Sequence, residues 1–145
     1  MTRDNNSAGT TSFITLTRLI LFANAVSGVL RVSGAFAQKD LLLEFGLPAW
    51  LPAYLVAVGG MSALLSLFGL ACTWLKGRLR VSAVWSALLF TVISYWVERL
   101  FLWAPEQRGG NPLFKLTVHA LSLAAAAGYT YYIKKETQSI HGPGN

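Results

Sequence analysis

Apolar residues run through this chain in four long blocks, at residues 13–36, 51–75, 81–103 and 113–133, separated by short polar, basic or proline-containing breaks. Each block is close to the ~20 apolar residues that an α-helix needs to cross the hydrocarbon of a bilayer. The pattern predicts an all-α integral membrane protein: an antiparallel bundle of four transmembrane helices, with a longer outer loop after the first and short loops elsewhere. Residues 1–12 and 136–145 are polar and small or broken by Gly and Pro, and are expected to be a disordered arm and tail flanking a transmembrane domain over 13–135.

The first block is interrupted by Arg18, Asn24 and Arg31, and its charge-free stretch, Leu19 to Leu30, spans only about 18 Å against about 30 Å of hydrocarbon. A cleavable signal peptide ending after Ala37 is one reading, since the residues before Gln38 have the small-x-small form of a cleavage site. Arg31 sits badly between an apolar core and such a cut, which favours an uncleaved spanning helix. In that helix Thr17, Asn24, Gly28, Arg31 and Ala35 share one face, the face expected to meet other helices.

From Gln38 to Pro48 charged and leucine positions mix, predicting a short amphipathic element on the membrane surface, punctuated by Gly46, Pro48 and Pro52. Trp50 and Tyr54 mark an interface. The second helix carries Gly59, Ser62, Ala63, Ser66 and Gly69 at spacings of three and four, a small-residue face that lets neighbouring backbones approach closely. The third presents Ala83, Ala87, Thr91, Ser94 and Glu98 on one side. The fourth ends in Tyr129, Tyr131 and Tyr132, expected as an aromatic belt, followed by Lys134 and Lys135.

Charge orients this plan. The tight turn Lys76-Gly77-Arg78-Leu79-Arg80 and the C-terminal lysine pair belong on the cytoplasmic side, which puts both termini inside. Arg31, Lys39, Arg99, Arg108 and Lys115 then fall on the outer side. The composition, 54% apolar and 12% charged with a mean hydropathy of +0.49, is that of a membrane protein. The net charge of +6 does not signal nucleic acid, because the cations sit at the ends of apolar blocks rather than on one solvated face. A single cysteine, Cys72, excludes a disulfide framework and reads as a small core residue.

Candidate chemistry concentrates between Thr91 and Trp103, where Glu98 and Arg99 interrupt an apolar run beside Tyr95 and Trp96. A carboxylate in hydrocarbon needs a partner or a purpose. Arg31 and Glu98 each lie five residues from the outer end of their helices and His119 six, so all three reach one level, about 7 to 9 Å deep. Arg31 is the natural counter-ion for Glu98, with His119 as a further hydrogen-bonding partner and Ser122, Ser94 and Thr91 filling what remains. Arg99 points about 100° away from Glu98 and is expected to snorkel to the surface.

The cluster supports three readings: a polar lock between helices, a site for a quinone headgroup or anionic lipid, or a proton-loading carboxylate in a transporter. No nucleotide, nucleophile-elbow or metalloprotease motif occurs, and one His with one Glu is too few for a closed metal site. The expectation is therefore a protein with no catalytic residues, metal or cofactor. Its expected partners are the lipid bilayer and other membrane subunits or further copies of itself, with no nucleic acid, in the plasma membrane.

Overall fold

The computed structural model describes residues 4–44, 46–75, 79–103 and 111–140. Among these described residues five α-helices follow in order: α1 (Asp4–Ala37), α2 (Lys39–Glu44), α3 (Leu51–Cys72), α4 (Leu79–Val97) and α5 (Pro112–Ile140), with a π-helical turn at Glu98–Leu102 continuing α4. No strand occurs among the described residues. Three of these segments, Ser12–Ala37, Leu51–Cys72 and Leu79–Leu102, are long and apolar enough to cross a membrane. Helix α5 has the length, but Lys115, Thr117, His119 and Ser122 dilute the apolar character of its first turns, and it is not among the three.

Several boundaries differ from those the sequence suggests. Helix α1 begins at Asp4, so residues 4–12, expected as a disordered arm, are drawn into it, and α5 continues past Lys135 to Ile140. Both extensions join helices already nucleated by long apolar blocks, where each added residue gains a hydrogen bond without a new nucleation cost. Of the basic turn expected at 76–80, Leu79 and Arg80 belong to α4, and of the loop expected at 104–112, Pro112 belongs to α5; residues 76–78, 104–110 and 141–145 lie outside the described residues.

Local chemistry explains the remaining ends. Helix α2 follows α1 almost without interruption, since Gln38 N donates to Gly34 O and Leu42 N to Gln38 O, each at 2.9 Å. It stops at Gly46, whose φ of 71° is left-handed, with Leu47 N bonded to Leu42 O and Gly46 N to Leu43 O, the paired bonds of a glycine-terminated helix. At the start of α5, Asn111 Oδ1 accepts from Leu113 N at 2.9 Å while Pro112 occupies the first helical position, where no backbone donor is missed.

The chain divides into two compact units, residues 1–20 with 109–145 and residues 21–108. In the first, the start of α1 lies against α5: Thr17 Oγ1 donates to Ala125 O at 3.4 Å, and the Phe13 ring packs on Tyr132 and over Gly128. Tyr129 is 1% exposed. The expected belt therefore loses Tyr129 to the interior, while Tyr131 points outward; two residues along a helix amount to a 200° turn.

In the second unit, α3 is the hub, through the small residues at Gly59, Ala63 and Gly69. A Cβ at Gly28 of α1 would stand 2.6 Å from Gly59 O and 2.8 Å from Ala63 N, so the two backbones are in direct contact. Ten residues on, a Cβ at Gly69 would meet Ala83 O of α4 at 3.2 Å. Ser62 and Thr91 join the same helices by a hydroxyl pair at 3.4 Å. Cys72 is buried in this unit as a free thiol. Large apolar side chains such as Leu30, Leu64, Phe68 and Ile93 point outward, an arrangement suited to lipid and costly in water.

The α1–α3 contact yields a direct test. Gly28→Ala places its methyl on backbone atoms that cannot yield, and should destabilise the detergent-solubilised protein by about 1–3 kcal/mol. Gly60→Ala, with open space around the new methyl, should not destabilise it. Chemical denaturation of both variants followed by circular dichroism checks the contrast.

Candidate functional site

Glu98 opens the π-helical turn that ends α4, and it is 5% exposed. The turn is recognised by its i to i+5 bond, Trp103 N donating to Glu98 O at 3.1 Å. Widening the helix by one residue changes the direction of every side chain beyond it.

Two helices converge on the Glu98 carboxylate. The Arg31 guanidinium of α1 lies 2.5 Å from Oε2, and the Tyr54 hydroxyl of α3 donates to Oε1 at 3.2 Å. Each oxygen thus has its own partner, and three helices meet at one charge. Local sequence brings the partners there. Arg31 rises from α1 one turn beyond Gly28, and a Cβ at Gly59 would come within 3.2 Å of the Arg31 Cβ, so the glycine makes room for the arginine stem. Tyr54 enters α3 in its first turn, after Pro52, with Trp50 edge-on to its ring at 5.9 Å.

Of the residues singled out in the sequence, Arg31 and Glu98 form the pair expected of them. His119 is half-buried on α5, in the other compact unit, and both oxygens of Glu98 are engaged without it. Ser94, Ser122 and Thr91 were expected to complete the cluster, but each turns its hydroxyl back to a carbonyl one turn earlier in its own helix: Phe90, Val118 and Ala87. That carbonyl lies within reach of any helical Ser or Thr and needs no long-range alignment. Arg99 was expected to snorkel. Its guanidinium donates to the Tyr95 hydroxyl on the same helix at 3.4 Å, and Tyr95 in turn packs edge-on against Trp96 with centroids 5.4 Å apart.

Tyr54 was read as an interface marker and proves to be a partner of the carboxylate. The signal was available: Tyr54 lies only three residues into α3, and a tyrosine side chain is long enough to reach a carboxyl about 3 Å deeper. Among the described residues no group of three or more His, Cys, Asp or Glu side chains gathers in one place. Among the described residues the Glu98 carboxylate is met by one guanidinium, from Arg31, and one phenol, from Tyr54, an arrangement that holds it in place. No protein family, curated protein or solved structure matches this chain.

Tyr54→Phe removes the donor to Oε1 while keeping the ring, and should lower stability in detergent by about 1–2 kcal/mol, the range for a hydrogen bond to a charged acceptor. Tyr95→Phe, on the long contact with half-buried Arg99, should cost less than about 0.5 kcal/mol. Paired denaturation curves check the ordering.

Proposed function

We propose that this chain is a small non-enzymatic protein of the plasma membrane, a four-helix bundle with both termini in the cytoplasm, serving as an accessory or structural component of a membrane complex. Helix α5 is the fourth crossing, and the basic turn after α3 with Lys134 and Lys135 sets the orientation. The observation that carries this reading is the closure of the Glu98 site. With one oxygen held by Arg31 and the other by Tyr54, the carboxylate fixes the relative positions of α1, α3 and the end of α4. Such a lock specifies which helices pair, and in membranes it contributes more to specificity than to stability. The outward-facing leucines and phenylalanines would meet lipid or the apolar helices of neighbouring subunits.

A second reading, binding of a lipid or quinone or proton-coupled transport through the same carboxylate, draws on the placement of Glu98 at the first residue of a π-helical turn, a feature frequent at functional sites. In that reading the Arg31 and Tyr54 contacts would have to open during the working cycle.

Native mass spectrometry of the protein gently extracted from its own membrane separates the two. The accessory role predicts release of this chain together with other subunits at fixed stoichiometry, unchanged in Glu98→Gln except for lower stability. A chain recovered alone, with a proton-linked or ligand-dependent activity abolished by Glu98→Gln in a still-folded protein, would overturn it.

A further inference from the structure

Outward from the Gly28–Gly59 contact, α1 and α3 part and leave a groove of about 500 Å³. Ala35, Phe36, Ala49, Pro52, Ala53, Val56 and Ala57 line it, together with one cation, Lys39 of α2. Further along the same two helices, Gly28 and Gly59 bring the backbones together, with the Arg31 Cβ beside Gly59. The groove's walls are the side chains of four alanines and a valine, with the Pro52 and Phe36 rings. Its charged residue is Lys39, where α2 begins. Asp40 follows Lys39 in sequence but does not line the groove, so the charge offered to an occupant is positive.

We infer that this groove is a binding site for one anionic phospholipid, its phosphate held by Lys39 and an acyl chain lying along the alanine walls toward the Gly28–Gly59 contact. The chemistry is complementary at both ends: an ammonium for a phosphate, and an open, mainly apolar groove for a chain that already resides in the bilayer. The site is separate from the Glu98 junction, whose oxygens are already engaged. It requires only that α1 and α3 lie in a membrane, and holds whether the chain is an accessory subunit or not.

The full-length protein, delipidated in detergent, is titrated with phosphatidylglycerol and, separately, with phosphatidylcholine, and bound lipid is counted by native mass spectrometry. The wild-type chain should bind one phosphatidylglycerol about fivefold more tightly than phosphatidylcholine, the factor expected from one lysine at a headgroup. Lys39→Gln should erase that preference while leaving the weaker, headgroup-independent binding. Ala57→Phe, at an exposed position on the groove wall, should reduce binding of both lipids in a protein that still folds. Lys134→Gln, remote in sequence from the groove, should retain the preference. Equal affinity of the wild type for the two lipids, a preference that survives Lys39→Gln, or undiminished binding in Ala57→Phe would each overturn the assignment.

Discussion

An ionised carboxylate inside an apolar helix bundle costs several kcal/mol unless its charge and lone pairs are met. Glu98 imposes that requirement here, and the second compact unit is arranged to satisfy it. Arg31 supplies the charge and Tyr54 the second hydrogen bond, one from each of two further helices. Because Arg31 keeps partial contact with its surroundings, 30% of its side chain being exposed, the pair is cheaper to form than one sealed completely. Its chief effect is geometric: no one of the three helices can rotate or slide without leaving a buried charge poorly paired.

The small residues make that geometry possible. Without a side chain at Gly28 and Gly59, α1 and α3 approach until backbone meets backbone, and the arginine one turn on is delivered to the level of the carboxylate. At Gly69 the same helix receives α4 against Ala83, and the Ser62–Thr91 hydroxyl pair lies between that contact and the carboxylate. Close packing and the ion pair are therefore one device. The first fixes distance, and the second fixes rotation and register. The groove beside Lys39 is lined by residues of the same two helices, outward from that contact.

Much of this was legible in the sequence, because the relevant signals are strong and local. Blocks of apolar residues announce helices, small residues at spacings of three and four announce a packing face, and equal depths from the helix ends join Arg31 to Glu98. What escaped depends on rotation rather than depth. Tyr54 was set aside because aromatic residues near helix ends usually mark an interface, while its hydroxyl reaches inward. Ser94, Ser122 and Thr91 each donate to a carbonyl one turn back in their own helix, which any helical hydroxyl can reach, and the contact Thr91 makes across the interface is with Ser62 rather than with Glu98. The π-helical turn at Glu98 has no sequence signature strong enough to announce it.

The most direct test is a double-mutant cycle on the pair, with Arg31→Gln, Glu98→Gln and both together, each compared with the parent by reversible denaturation in the same detergent. The account predicts that each single change destabilises the protein and that the double variant loses less than the sum, with an interaction energy above about 0.5 kcal/mol. Additive losses would mean that Arg31 and Glu98 do not interact in the folded protein, and the carboxylate-centred account of the fold would fail.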